Sequence, residues 1–484
     1  MSAAFPPRSL SAPSSRLIAR RENSAAALRS LAGSAGRLTR MRRHAADVRG
    51  PAAVGPETGI MDLAAPPAAQ AKPSPGAPGP RRGRALPGWL ALLDRPLTSY
   101  YLILGITLLL IALGLIMVLS TSSAVALDSG GSTYAGFQKQ LLGVAVGLPL
   151  MWVAAKSSPT LFRAAAYPLM GISILGLLLV LAVGVEASGA TRWLQVGPFQ
   201  VQPSEFAKLA FVLWGADLLA RKEKLGQLKD WRQLLLPLLP GAALLCMLVM
   251  LGDDLGTTFL LLVIFLALLW VIGTPGRMFI GILAIMGFVM IILVIVAPYR
   301  LERITGFLHP QAHPSAAGYQ LKQGTYALGS GGLFGVGLGA GREKFGYVPN
   351  STTDFIFAII GEELGLVGTV CVTVLYGGLA YAGLRIARRV PDTFMRLAAA
   401  AATAWIALQA LVNIGAVIGM LPITGVPLPL VSAGLSSLIV TMTTLGMLMS
   451  FAKREPGAAQ ALANAGPGVP RRILGWLGLA GRSG

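Results

Sequence analysis

The stretch YYLILGITLLLIALGLIMVLS, residues 100–120, contains no charged residue. A helix of about twenty residues is about 30 Å long, which matches the hydrocarbon core of a membrane. Comparable apolar runs recur along the chain as far as residue 451. The stretch therefore predicts a membrane-spanning helix, and its recurrence predicts an all-α polytopic membrane protein.

The composition of the whole chain agrees with this fold class. Of the 484 residues, 54% are hydrophobic and 12% are charged, whereas about a quarter of the residues of a soluble domain are charged. The apolar runs are continuous rather than alternating, which argues against an outer-membrane β-barrel. Both cysteines, Cys246 and Cys371, lie inside apolar runs, so the sequence offers no disulfide or zinc framework.

Ten apolar runs are long enough to span a membrane, and we predict ten transmembrane helices with a long outer loop between spans 7 and 8. The predicted spans are residues 100–120, 138–155, 164–184, 205–220, 234–251, 256–273, 278–297, 356–384, 397–420 and 433–451. Basic residues favour the cytoplasmic side of a membrane. Their distribution among the loops predicts that both termini are cytoplasmic and that a multi-pass membrane domain covers residues 99–452.

Two tails flank the predicted membrane domain. Residues 1–99 carry 15 Lys and Arg but only 5 Asp and Glu, and the segment is rich in Ala, Pro, Ser and Gly. Residues 1–98 are therefore predicted to be a disordered, basic cytoplasmic tail. Its arginine pairs either attract anionic membrane lipids and acidic partners or only set the topology. Residues 453–484 are predicted to be a short second cytoplasmic tail.

Ionisable residues at the predicted outer ends of the spans are candidates for function, because charges near the membrane are costly. Arg192 precedes the fourth span, where Glu205 and Lys208 have the spacing of a pair on one helix face. A structural ion pair explains that spacing as well as a binding site does. Asp253 and Asp254 suit either a bound cation or an ordinary polar turn.

The outer loop, about residues 298–355, is a second candidate region because loops of this length are usually functional. Its glycine-rich stretch, residues 327–335, suits a re-entrant or interfacial segment. Asp354 lies where the loop enters the next span, a place that suits a general base, although a helix N-cap explains one Asp equally well. Other polar residues near the same face are Lys344, Ser432 and Ser436.

Several motifs occur in the order found in the SEDS family of bacterial cell-wall polymerases, which includes FtsW, RodA and SpoVE. These motifs are QPSE at 202–205 with Lys208, GYQ at 318–320, GSGGL at 329–333, DFIFA at 354–358 and GEELG at 361–365. The resemblance covers about residues 97–455. The stretch VIGMLP at 417–422 and the basic tail are most similar to the FtsW members, which act at the division site.

The resemblance implies a peptidoglycan glycosyltransferase that polymerises lipid II at the division septum, in the inner membrane. It implies that Asp354 is the catalytic base and that the substrate-binding residues are Arg192, Glu205, Lys208, Gln320, Lys344, Ser432 and Ser436. The implied partners are lipid II, a class B penicillin-binding protein, other divisome proteins and membrane lipids, without nucleic acid. No certain cofactor and no metal ligand are implied, although a divalent cation, Mg²⁺ or Mn²⁺, is a candidate to share the stabilisation of the diphosphate.

Three other functions are alternatives: a lipid II flippase, a RodA-like elongation polymerase and a non-catalytic scaffold. A transporter is expected to have ionisable groups near the bilayer midplane and inverted repeats. Here the polar groups lie at the outer face, which favours the enzyme. Thr352, Asp253 and Leu435 depart from the family pattern, so no role is assigned to these side chains.

Overall fold

The computed structural model describes residues 97–129, 134–187, 190–197, 199–226, 231–308, 316–458 and 460–461. Residues 1–96 of the first predicted tail and residues 459 and 462–484 of the second lie outside these residues. The disorder of the first tail and the cytoplasmic location of both stay predictions.

Helices dominate the described residues. The helices are α1 (Thr98–Ser129), α2 (Ala135–Lys156), α3 (Pro159–Val183), α4 (Pro203–Lys224), α5 (Trp231–Leu251), α6 (Leu255–Ile272), α7 (Gly276–Ile295), α8 (Pro298–Leu308), α9 (Ala316–Ser330), α10 (Ile356–Arg389), α11 (Thr393–Val417) and α12 (Leu435–Ala452). The strands β1 (Val185–Ala187), β2 (Ala190–Val196) and β3 (Phe199–Val201) form one small antiparallel sheet between α3 and α4, in the order β1-β2-β3.

Each predicted span coincides with one helix, from α1 to α7 and from α10 to α12. Eight of these helices are long and apolar enough to cross a membrane. The exceptions are α4, which contains charged residues paired inside the protein, and α5, whose described apolar part, Leu235–Leu251, is shorter. The all-α polytopic fold class is confirmed. Length and composition support eight spans within the described residues, and the count of ten stays a prediction.

The core of the bundle lies around α11 and α12. Helix α11 packs against α10, α6 and α4, and α12 packs along α2. The alanines at 398–402 are all buried, because small side chains allow helices to approach closely in a membrane protein. Helix α7 lies at the edge of the bundle, and none of its residues is buried.

The outer loop contains two helices, α8 and α9, and its glycine-rich stretch packs on α10. The backbone N–H of Val336 donates to the carbonyl oxygen of Glu362 at 2.9 Å. At this place Gly365 interrupts α10 with a φ of 68°. A Cβ atom on Gly335, which has a φ of 81°, would lie 2.1 Å from the carbonyl oxygen of Glu363, so only glycine fits there. The stretch that is expected to be re-entrant or interfacial therefore packs against α10 at the point where Gly365 interrupts this helix.

Candidate functional site

A cavity of about 280 Å³ lies where α6 begins, α7 ends and α8 follows. Its walls are mostly apolar and come from α6, α7, α11 and residues 421–424. Three arginine side chains also line the cavity. These side chains belong to Arg192 on β2 and to Arg300 and Arg303 on α8. We call this space the arginine cavity. An apolar wall with a cationic rim suits a ligand that joins a hydrocarbon chain to an anion.

Two of the three arginines are held in place by the turn before α6. Arg300 donates to Asp253 Oδ1 at 2.9 Å and to the carbonyl oxygen of Leu293 at 2.8 Å. Arg192 donates to the carbonyl oxygen of Asp253 at 2.8 Å. Arg303 forms no hydrogen bond with any residue that the structure describes, and its side chain is half-buried. The cavity therefore has two fixed cations and one that can turn toward a ligand.

The pair Asp253–Asp254 forms a polar turn rather than a metal site. Asp254 caps α6, accepting from the backbone N–H and the hydroxyl of Thr257 at 3.0 and 2.7 Å, and it also accepts from Gln202 Nε2 at 3.1 Å. Within the described ranges, no group of three or more His, Cys, Asp or Glu could hold a metal ion. Because Asp253 pairs with Arg300 and Asp254 is occupied as a cap, these residues do not fit a site for a protein-bound cation.

Asp354 lies on a short segment that is held by α11 and by the last outer loop. Asn413 Nδ2 donates to the carbonyl oxygens of Asp354 and Val426, both at 2.8 Å. Ser432 Oγ donates to the carbonyl oxygen of Thr353 at 2.6 Å. The N-cap of α10 is Phe355, without a capping bond from its side chain, so the interpretation of Asp354 as an N-cap is wrong. Its backbone is fixed while its carboxylate stays available.

The carboxylate of Asp354 approaches the arginines of the cavity. Asp354 Oδ2 and Arg303 Nη1 each lie 3.7 Å from the position that a Cβ on Gly425 would occupy. Removal from water raises the pKa of the Asp354 carboxyl to about 6, Asp254 adds to this rise, and the guanidinium groups of Arg303 and Arg192 oppose it. Such a carboxylate is ionised at neutral pH, yet it is a better proton acceptor than an exposed Asp.

This pKa predicts the pH dependence of any reaction in which Asp354 accepts a proton. Only the ionised form can act as a base, so we expect kcat/KM to rise as the pH increases through about 6 and to level off above it. The measurement is a pH–rate profile of the full-length protein, with Tm recorded at each pH to exclude unfolding. A rate that does not change through this range would contradict the assignment.

Lys344 lies in a buried cluster and does not line the arginine cavity. Its Nζ lies 2.7 Å from Glu363 Oε1, 2.7 Å from the carbonyl oxygen of Gly339 and 2.8 Å from Ser120 Oγ. Three acceptors use all the donors of an ammonium group. Lys344 therefore ties the outer loop to α1 and α10, and we assign it a structural role.

Glu205 and Lys208 form the ion pair expected from their spacing, and both side chains are buried. Lys208 Nζ lies 2.7 Å from Glu205 Oε1 and 3.3 Å from Gln409 Oε1, and Lys208 is 1% exposed. It also lies over the ring of Trp405, 4.9 Å from the ring centroid. Through Gln409 and Trp405 this pair joins α4 to α11, which supports the structural alternative.

The remaining predicted residues, Gln320 and Ser436, form hydrogen bonds with backbone groups. Gln320 Nε2 donates to the carbonyl oxygen of Pro349 at 3.1 Å. Ser436 Oγ accepts from the backbone N–H of Gln202 at 3.2 Å. Helix α4 begins after Gln202 and has no side-chain capping bond. Of the predicted set, only Asp354 and Arg192 meet near the arginine cavity.

Sequence reasoning missed Arg300 and Arg303 as site residues. The available signal was their place outside the membrane, since basic residues in an outer loop run against the charge rule that sets topology. They are also three positions apart, which puts both on one face of α8.

Comparison with known proteins identifies the family. The sequence model described as cell cycle protein, FtsW/RodA/SpoVE, matches residues 100–456. A Mycobacterium tuberculosis protein named "Probable peptidoglycan glycosyltransferase FtsW" is 44% identical over 387 residues, covering 80% of this chain and 73% of that protein. Stage V sporulation protein E of Bacillus subtilis is 37% identical over 356 residues, covering 73% of this chain and 96% of that protein.

Two solved structures share the fold. A chain of a peptidoglycan synthase complex that coordinates polymerization and crosslinking superposes with a TM-score of 0.58 at 29% identity, covering 72% of this chain and 96% of that chain. The rod shape determining protein RodA of Thermus thermophilus superposes with a TM-score of 0.54 at 29% identity, covering 75% of this chain and 99% of that chain. The chain therefore belongs to the FtsW/RodA/SpoVE family of cell cycle proteins.

Proposed function

We propose that this protein is a peptidoglycan glycosyltransferase that polymerises lipid II into glycan strands during septal cell-wall synthesis. The observation that carries the proposal is the juxtaposition of Asp354 with Arg303 beside an apolar cavity that also contains Arg192 and Arg300. Lipid II joins a disaccharide to a polyprenyl chain through a diphosphate. The cavity offers apolar surface for the chain, cations for the diphosphate and a base for the sugar.

The chemistry follows from these groups. The 4-hydroxyl oxygen of the acceptor sugar attacks C1 of the donor sugar while the bond from C1 to the diphosphate oxygen breaks. Asp354 accepts the hydroxyl proton, and the diphosphate leaves on its lipid with the bonding electrons. Guanidinium groups stabilise the charge that develops on the leaving oxygen. Any divalent cation would arrive with the diphosphate, since Mg²⁺ is commonly held by one or two carboxylates together with substrate phosphates.

Arg303 is expected to be the most important of the three arginines for turnover. It is the one without a hydrogen bond to the described residues, so its guanidinium can follow the leaving group. We expect Arg303→Gln to lower kcat/KM for lipid II about 10²-fold, the usual cost of removing one donor from a developing oxyanion. Arg303→Lys keeps the charge and should recover part of the loss.

The matched control is Arg277→Gln. Arg277 is exposed and lies at the start of α7, whereas the arginine cavity lies at the end of this helix. The rate of this variant should equal that of the wild type. The measurement is the initial rate of strand formation at several lipid II concentrations. Equal rates for Arg303→Gln and Arg277→Gln would remove Arg303 from the mechanism.

Location and partners follow from the proposed activity. We propose that the protein lies in the inner membrane with both termini in the cytoplasm, and that it works at the division septum with a class B penicillin-binding protein and other divisome proteins. The match to a chain of a peptidoglycan synthase complex supports such a partner.

The test of the proposed function is direct. The full-length protein, purified with and without a class B penicillin-binding protein, is incubated with fluorescent lipid II, and the products are separated on a gel. Glycan strands made by the wild type but not by Asp354→Asn are the expected result. Absence of strands under both conditions would refute the polymerase. Movement of lipid II across vesicle membranes without strands would instead favour the flippase.

A further inference from the structure

A second cavity, of about 360 Å³, lies beside the Asp354 segment and takes no part in the mechanism above. The residues that line it include the polar Lys139 of α2, Gln195 of β2, Gln200 of β3 and Thr353, together with Trp193 of β2, Phe199 of β3 and Leu435 of α12. We call it the polar cavity. Its volume lies in the range of ordinary ligand sites, about 300–1,000 Å³.

Strand β2 contributes residues to both cavities. Successive side chains of a strand point to opposite faces, and Arg192 lines the arginine cavity while Trp193 lines the polar one. Gln195 is two positions further along β2, and Gln200 is directly opposite Gln195 in the register of β2 and β3. Trp193, Gln195 and Gln200 therefore share one face of the sheet.

Neighbouring residues of the Asp354 segment also face different cavities. Thr353 lines the polar cavity, whereas the carboxylate of the next residue, Asp354, approaches Arg303 beside Gly425. Hydrogen bonds from Ser432 Oγ to the carbonyl oxygen of Thr353 and from the N–H of Ala433 to that of Thr352, 2.6 and 2.9 Å long, hold this wall. A ligand in the polar cavity would lie one residue away from the proposed base.

The lining has the chemistry of a carbohydrate site. An indole ring offers a flat apolar face with one polar edge, and carboxamides both donate and accept hydrogen bonds with hydroxyl and acetamido groups. Lys139 is exposed and has no ion-pair partner among the described residues, so it adds a cation for an anionic substituent. Gln195 Nε2 already donates to the carbonyl oxygen of Gly197 at 2.7 Å, so its Oε1 remains to accept from a ligand.

We propose that the polar cavity binds the N-acetylated sugars of the acceptor, while the arginine cavity holds the donor's diphosphate. This assignment rests on the proposed function, and it gives the two substrates separate places on either side of Asp354. Trp193 stacks on a sugar ring, Gln195 and Gln200 bond its substituents, and Lys139 pairs with an anionic group carried by the acceptor. The cavity is then the site that presents the acceptor hydroxyl.

The test measures glycan binding apart from catalysis. Full-length protein is placed in lipid nanodiscs, which avoid sugar-headed detergents, and fluorescein-labelled chitotetraose is titrated by fluorescence anisotropy. We expect saturable binding by the wild type and by Asp354→Asn, and an affinity about tenfold lower for Trp193→Ala, equivalent to about 1.4 kcal/mol. Gln200→Ala should weaken binding in the same direction, and Trp193→Phe should keep most of the affinity.

The matched control is Trp152→Ala, because Trp152 is an exposed tryptophan near the far end of α2, the helix that contributes Lys139. It should bind like the wild type. Unchanged affinity in Trp193→Ala, or no saturable binding by a wild type that polymerises lipid II, would overturn the acceptor site. A wild type that binds the oligosaccharide at Trp193 but makes no strands would refute the proposed function and leave a glycan site.

Discussion

Asp354→Asn is expected to lower lipid II polymerisation by about 10²–10⁴-fold, the contribution of a positioned general base. The amide has nearly the shape of the carboxyl group but cannot accept the hydroxyl proton. The fold should survive, because the hydrogen bond that holds this residue goes from Asn413 to its backbone carbonyl oxygen. The measurement is strand formation from lipid II, compared at equal amounts of folded protein.

Glu302→Gln is the matched control for this change. Glu302 is an exposed carboxylate on α8, next to Arg303 in sequence, and it does not line the arginine cavity. Its conversion to an amide should leave the rate unchanged. Strand synthesis by Asp354→Asn at the rate of Glu302→Gln would exclude Asp354 as the base.

Lys208→Met is expected to destabilise the protein by about 3–5 kcal/mol, the usual cost of leaving one member of a buried ion pair without its partner. Glu205 would then be buried, at 3% exposure, without its cationic partner, and its Oε2 already has no hydrogen-bond partner among the described residues. The measurement is the Tm of the protein in detergent, with unfolding detected by intrinsic fluorescence.

The double variant Glu205→Gln with Lys208→Met should recover most of the lost stability, because no buried charge remains. Trp405 Nε1 still donates to Gln409 Oε1, at 2.7 Å in the wild type, so removal of Lys208 leaves that acceptor satisfied. An unchanged Tm in Lys208→Met together with loss of lipid II use would instead place Lys208 in substrate binding, as the family resemblance implied.

The outcomes for the predicted charged residues show how much the order of residues in the chain can predict. Arg192 and Asp354 were predicted from their places next to spans, and both lie beside the arginine cavity. The sequence predicts Lys344 as a site residue on the same grounds. In the structure Lys344 is buried against Glu363, nineteen positions away, and Ser120, 224 positions away. Nothing local to Lys344 distinguishes a cation that faces a ligand from one that pairs inside the protein.

Arg300 and Arg303 illustrate the converse. Their place in the sequence predicts only that they lie in the outer loop, whereas the structure places α8 next to the start of α6 and the end of α7. The arginine cavity exists because six separate parts of the chain meet there. The polar cavity, which uses α2, the sheet, the Asp354 segment and the last loop, is equally dispersed.

The sequence by itself determined that this is a helical membrane protein, where its long helices lie, and that its polar residues gather at one end of the spans. These properties follow from the transfer of apolar side chains out of water, a free energy that is nearly additive along a local stretch. Only the tertiary structure decided which charges are buried in pairs and which face a cavity. That outcome depends on the positions of partners far away in the chain, because burying a charge is tolerated only where helix packing supplies an opposite charge and hydrogen bonds.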